Sequence, residues 1–262
     1  MQLANNLRSS NAILTPTDDT FSQRLEQKFV VNRFELDSLM KGAGKKFFEQ
    51  FEKSYVHDNC DYNIIDNVYF DTPDLTAYHQ SIEQQEERMK LRIRQYCPNG
   101  MREDFIFFEQ KESINGTTHK RRMQMRQEWL GDLLKGRSIP ISELLALNED
   151  KKEALQLYDN LQDYLLLKNY SPSLSSSYHR HAYRSKESKK IRLTVDTNLE
   201  FKRLKDLGRL RYPYAGTYLK DSAIIELKIS SPQYFDTFQQ LAAVVGAARS
   251  FSKYCYGVFS TR

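Results

Sequence analysis

Segment after segment of this chain alternates charged or polar residues with aliphatic ones, a period of two that an extended strand places on opposite faces. ERMKLRIRQY (87–96), DFIFFEQKES (104–113) and HKRRMQMRQEW (119–129) show it most strictly, the last two joined by an Ile-Asn-Gly-Thr hairpin signal. RLEQKFVV (24–31), NIIDNVYFD (63–71), LSSSYHRHAYRS (174–185), KKIRLTVDTNLEFKR (189–203) and AIIELKIS (223–230) supply further strands. Helical spacing appears from Ser142 to Lys168 and from Pro232 to about Val245. Asp37 is expected to open a helix towards Glu52, broken at 42–44. A short helix or turn is expected near 74–83, and 250–259 reads as strand or loop. Mostly adjacent strands with few helices predict an α+β fold: an antiparallel sheet, closed into a β-barrel, with flanking helices. Residues 1–20 read as a polar arm and 21–262 as one domain.

The faces matter more than the totals. The chain of 262 residues has 39 Lys+Arg against 34 Asp+Glu, a net of only +5, mild for a nucleic-acid domain. Sorted by strand, the charge concentrates. Lys90, Arg92 and Arg94 share a face with Tyr96, with Leu91 and Ile93 opposite. Glu109 and Lys111 share one, as do Lys120 and Arg122, Glu226 and Lys228, and Glu26 and Lys28. Arg192, Thr194 and Asp196 fall in step, and so do Tyr178, Arg180 and Arg184. A solvated sheet face would mix Thr, Ser, Gln, Glu and Lys. A repeated Lys/Arg face turned inward instead forms a cavity that is unstable without a multiply charged anion. Arg forks match phosphate oxygens, Lys acts as a point charge, and sparse carboxylates suit a divalent metal that bridges phosphates. The faces therefore point to a polyphosphate-type ligand.

Other classes are excluded or weakened. Three cysteines (Cys60, Cys97, Cys255) rule out a disulfide framework and a Cys-rich zinc site, and fit a reducing, cytoplasmic setting. No apolar run approaches a membrane span, and no signal-peptide pattern opens the chain. The run 131–138 is a near miss to a P-loop, with Arg137 in place of Lys, and reads as a surface helix end. His179 and His181 lie on the face opposite Arg180, which suits packing better than metal binding. Nucleic acid is disfavoured because the aromatics are not expected to interleave with the Arg face as a stacking platform would.

The ordered set RLEQKF (24–29), VYFDTP (68–73), KLRIRQY (90–96), FEQKES (108–113), KRR (120–122), SYHRHAYR (177–184), IRLTVD (191–196), IIELKI (224–229) and SKYCYG (252–257) resembles the VTC domain. That is the catalytic polyphosphate polymerase domain of the vacuolar transporter chaperone complex, within the CYTH-like triphosphate tunnel metalloenzymes. The resemblance implies a closed antiparallel tunnel holding triphosphate and Mn²⁺ or Mg²⁺. It implies phosphate binding by Lys28, Arg92, Arg94, Lys111, Lys120, Arg122 and Arg180, with Lys90 on the same face and Lys253 beside Ser252 in an SK pair. Tyr178 would contact the chain through its hydroxyl, and Arg192 and Lys228 would line the tunnel. Glu226 matches the metal-binding Glu, with Glu26, Glu109 and Asp196 as further carboxylates; Glu109 and Asp196 are favoured as partners that orient Arg and Lys. Arg24 departs from the Glu-x-Glu-x-Lys opening of related phosphatases and weakens a simple hydrolase reading. The expected reaction passes the ATP γ-phosphate to a growing polyphosphate. A tunnel triphosphatase and a non-catalytic polyphosphate- or inositol-phosphate-binding module are the alternatives. ATP and polyphosphate are the expected partners, without nucleic acid, with any membrane link supplied by a separate protein.

Overall fold

The computed structural model describes residues 25–54, 61–204, 217–219 and 221–261; the expected arm 1–20, Arg24 and Cys60 lie outside them. In chain order the elements begin with β1 (Leu25–Asn32), α1 (Arg33–Lys41), α2 (Lys45–Phe48), β2 (Phe51–Lys53), β3 (Asn63–Asp71) and α3 (Thr76–Ile82). They continue with β4 (Glu87–Pro98), β5 (Phe105–Ile114), β6 (Thr117–Arg126), α4 (Leu130–Leu133), α5 (Ile141–Ala146) and α6 (Lys151–Leu166). The last are β7 (Ser171–Ser185), β8 (Ile191–Arg203), β9 (Thr217–Leu219), β10 (Ser222–Ile229), α7 (Asp236–Val245) and α8 (Lys253–Ser260).

The chain packs as two units assembled from separated segments. The first holds described residues 25–54, 181–196 and 221–251; the second holds 61–180, 197–204, 217–219 and 252–261. In the first, β10 pairs antiparallel with both β1 and the first half of β8, and β2 pairs with the end of β7. The alternation sends Phe29, Val31, Leu193, Val195, Ile225 and Leu227 into a core closed by Leu36 of α1, Phe47 and Phe48 of α2, and Phe238 and Leu241 of α7. Each such fully buried side chain contributes about 1.5–3 kcal/mol. The helix expected to open at Asp37 starts earlier, because Asn32 accepts the Phe34 N–H at 2.8 Å and caps α1. It breaks where expected: a Cβ on Gly44 would lie 2.6 Å from Val244 Cγ1 and 2.8 Å from the Leu39 carbonyl. The helix expected to run towards Glu52 stops short of it, and Phe51–Lys53 pairs as a strand.

In the second unit β3 pairs with β7 and β4, β4 with β5, and β5 with β6, all antiparallel. Asn115 and Gly116 both take positive φ in the β5–β6 turn, the backbone that a tight hairpin requires. Leu91, Ile93, Ile106, Phe108, Met123 and Met125 bury one sheet face, with α6 packed on β6. The 142–168 helical signal resolves into α5 and α6, the latter capped by Asp150 on the Glu153 N–H at 2.9 Å. The P-loop near miss is a helix end: α4 stops there and Gly136 takes φ +70.

Two further expectations change. Among the described residues β1 is hydrogen-bonded to β10 alone and β6 to β5 alone. These are antiparallel ladders with flanking helices, and the pairing that would close the expected barrel is not among them. Residues 253–260, expected as strand or loop, form α8, because the Ser252 hydroxyl accepts the Cys255 N–H at 3.3 Å and starts a helix.

Candidate functional site

The antiparallel registers of the second unit bring the expected basic residues onto one face. Lys90 of β4 stands directly across from Lys111 of β5, and Lys111 directly across from Lys120 of β6. One step along, Arg92 faces Glu109, which faces Arg122; on the other side Arg92 faces Tyr69 of β3. The next row holds Ser176, Asn67, Arg94 and Phe107, and the one beyond holds Tyr178, Ile65 and Tyr96. Arg180 follows, opposite Asn63. Like charges in direct cross-strand register are destabilising, so a lysine row three strands wide needs compensating anions.

One anion is internal. Glu109 is buried, with Oε2 accepting from Arg92 Nε at 2.7 Å and Oε1 accepting from Lys120 Nζ at 2.9 Å. Burial works against its charge, but Arg92, Arg94 and Lys120 outweigh burial and hold the carboxyl far below the ordinary carboxylate range. Burial and the repulsion of Arg92 and Arg94 push the Lys120 ammonium below its usual value, against the pull of Glu109. Both Glu109 oxygens accept from cations.

Arg94 is held rigidly. Its Nε donates to Asn67 Oδ1 at 2.9 Å and its Nη2 donates to the Tyr178 hydroxyl at 3.4 Å, while Asn67 Nδ2 donates to Ser176 Oγ at 3.2 Å. Lys253, at the first turn of α8, sits 4.7 Å from the Tyr178 ring centroid, and Lys90 Nζ donates to the Ser252 hydroxyl at 3.4 Å. The SK pair thus joins the β4 face. Beneath it, Tyr254 donates to Asp71, whose carboxylate also accepts the Ala77 and Tyr78 N–H groups of α3 at 2.8 and 3.1 Å. Burial, then the Asp71 charge, pushes the Tyr254 hydroxyl well above its ordinary range.

The first unit carries a second polar face. Glu26, Lys28, Glu226, Lys228, Thr194, Arg192 and Asp196 fall in step across β1, β10 and β8. Lys28 Nζ lies 2.8 Å from Glu26 Oε1, and Lys228 contacts both Glu26 and Glu226. Burial and the neighbouring Glu226 raise the Glu26 carboxyl, but Lys228 and Lys28 prevail and lower it. Thr194 Oγ1, in register with Glu226, is buried without a hydrogen-bond partner. Glu26 and Glu226, with the Thr194 hydroxyl, are the oxygens on this face that could hold Mg²⁺ or Mn²⁺, ions that take one or two carboxylates and complete their shell with phosphate; among the described residues no group of three or more His, Cys, Asp or Glu is placed to hold a metal. Asp196 lies one row beyond Thr194 on the same face, fully buried opposite Ile224.

Tyr96 and Tyr178 fall on the arginine faces as the strand periods predict, but the expectation that aromatics do not interleave with the arginines is corrected. Tyr69, Tyr96, Phe107 and Tyr178 do interleave with the cations. Arg92 lies over Tyr69 at 6.0 Å, Arg94 over Tyr96 at 5.8 Å, Arg122 over Phe107 at 4.8 Å and Arg180 over Tyr178 at 5.3 Å. Period-two counting from Glu109 and Lys111 back to Phe107 adds a further ring. His179 stacks on Tyr62 at 4.9 Å and contacts Asn198 at 3.3 Å, a packing role as expected.

A family model described as the VTC domain matches residues 23–262. Vacuolar transporter chaperone complex subunit 4 of Schizosaccharomyces pombe is 23% identical over 235 residues, covering 74% of this chain and 31% of that protein. The chain therefore spans less than a third of the length of that curated relative. Among solved structures, a candidate adenylate cyclase from Bacillus halodurans aligns with TM-score 0.49 at 15% identity, covering 87% of this chain and 91% of that one. A Pyrococcus horikoshii protein aligns with TM-score 0.43 at 14% identity, covering 90% and 98%.

Proposed function

The chain belongs to the VTC domain family, and from that premise we propose that it is an ATP–polyphosphate phosphotransferase. The observation that carries this reading is the in-register row Lys90–Lys111–Lys120 beside Arg92 and Arg94, a concentration of donors matched to consecutive phosphates. In this reading the basic face of the second unit is the wall of a phosphate-binding tunnel. Arg94, oriented by Asn67 and Tyr178, and Arg92, oriented by Glu109, clamp the triphosphate, and the lysine row neutralises it. Lys253, Ser252 and Arg180 add further phosphate donors, and Arg122 adds a cation on the same face. By itself, the polar face of the first unit offers Lys28, Arg192 and Lys228 as its phosphate-binding cations, and Glu226 with Glu26 would hold Mn²⁺ or Mg²⁺ there. That metal would supply charge neutralisation on the phosphate oxygens.

The terminal phosphate oxygen of polyphosphate attacks the ATP γ-phosphorus in line. A new P–O–P linkage forms, the β–γ bond breaks, and ADP leaves. The attacking oxygen is already ionised at neutral pH, so positioning and electrostatics suffice and no protein nucleophile is needed. The resemblance to a transporter chaperone subunit supports work on the cytoplasmic side beside partner proteins that carry the membrane spans. Among the described residues no helix is long and apolar enough to cross a membrane.

Incubation with ATP and Mn²⁺, with products resolved by gel and chromatography, tests the proposal. Long chains plus ADP are expected. Free phosphate without chains would overturn it in favour of a triphosphatase, and tight polyphosphate binding without turnover in favour of a binding module.

A further inference from the structure

The basic face of the second unit is not uniform along its strands. Lysines occupy the row at one end, Arg92 and Arg94 the middle, and aromatic rings the other end. Phe107 and Tyr96 lie there edge to face, with centroids 5.6 Å apart, and are only half-buried. Their neighbours on the opposite face, Phe108 and Ile93, are fully buried. The exposed Arg122 lays its guanidinium over Phe107 at 4.8 Å, and Arg94 lies over Tyr96 at 5.8 Å. Half-exposed rings on a charged face, each beside a guanidinium plane, do little for the core. They form a stacking site of the kind that takes a flat heteroaromatic ring between aromatic and arginine surfaces.

The spacing suits one ligand. Lys90 and Arg94 are four residues apart on a single strand, roughly 13 Å at about 3.3 Å per residue, comparable to an extended triphosphate with its ribose. We infer that the Phe107–Tyr96 end is a nucleobase subsite, which stacks the purine of ATP on Phe107 beside Arg122 and points its phosphates down the strands to the lysine row. This rests on the proposed use of ATP, and adds the direction in which the nucleotide lies and the residues that distinguish it from polyphosphate. An inorganic chain has no ring to stack, so the subsite separates the donor from the growing product.

Calorimetric titration with the non-hydrolysable β,γ-imido analogue of ATP and with tripolyphosphate, each with Mn²⁺, tests this on the full chain. Phe107→Leu is expected to weaken nucleotide binding about tenfold, within the range measured for one base–aromatic stack, and to leave tripolyphosphate unchanged within error. Phe107→Tyr, which keeps a ring, is expected to restore nucleotide affinity; a thermal melt confirms that each variant is folded. Equal loss of both ligands, loss of neither, or no recovery with Phe107→Tyr would overturn the subsite. An unaltered protein that binds the nucleotide no differently from Phe107→Leu overturns the subsite alone, whereas one that binds no nucleotide overturns the proposed function with it.

Discussion

Replacing Glu109 with Gln probes the reasoning about this face most directly. The carboxylate is buried and bonded to Arg92 at 2.7 Å and Lys120 at 2.9 Å, the one acid among Lys90, Lys111, Arg92, Arg94, Lys120 and Arg122. Glutamine keeps the shape but removes the charge. Breaking a buried pair from one side costs about 3–5 kcal/mol, because the remaining charges lose their counter-ion. Here the lower end applies, since Lys120 is half exposed and Arg92 partly so, and water screens what is left. A loss of about 3 kcal/mol lowers the melting temperature by roughly 6–12 °C in a chain of this size.

The acid limb supplies an independent check. The folded Glu109 carboxyl is depressed below its ordinary 4.5, so its contribution is complete above that pH and is lost as pH falls towards the folded value. Thermal melts from pH 7 down to pH 3 should show the parent losing stability below about 4.5 more steeply than Glu109→Gln. Tripolyphosphate should raise the melting temperature of the variant more than that of the parent, because it replaces the missing anion. A variant within 2 °C of the parent, with the same acid limb, would refute the claim that Glu109 organises these cations.

Three further outcomes follow from neighbouring geometry. Tyr254→Phe removes the donor to Asp71, whose other bonds cap α3, and should cost about 1–3 kcal/mol in urea denaturation. Ser252→Ala removes the α8 cap and the contact to Lys90, and should cost about 1 kcal/mol in the same assay while weakening tripolyphosphate binding in calorimetry. Burial and then Asp66 push the Cys97 thiol up to about 11, so alkylation at pH 8 followed by mass spectrometry should leave it unmodified in the folded protein and modify it in urea.

How far such a site can be read from the chain depends on which contacts are local. Backbone pleat alone decides that Lys90, Arg92 and Arg94 share a face, so their grouping was legible at once. Their neighbours on β5 and β6 followed from a hairpin whose Asn115–Gly116 turn fixes the register. What was not legible depends on partners distant in sequence. The Asn67 amide acts only because Ser176 and Arg94 arrive on either side of it, from separate strands. Phe107 is a different case: it looks like an ordinary strand residue until the registers place it beside Arg94 and Arg122 from neighbouring strands.

The sharpest lesson comes from 253–260. Its Tyr, Val and Phe content favours a strand, yet it folds as a helix. A Cβ on Gly257 would lie 2.5 Å from Leu174 Cδ2 and 2.6 Å from Phe201 Cδ1. The helix therefore docks against β7 and β8 so closely that only glycine fits at that turn. That docking buries Tyr254 on Asp71 and carries Lys253 over the Tyr178 ring. Local propensity loses to tertiary packing, and the same packing delivers the SK pair to the phosphate face. A Gly257→Ala substitution should consequently weaken tripolyphosphate binding along with stability, although the residue touches no ligand; calorimetry on the folded variant, with β-face substitutions as reference, reads the two effects separately.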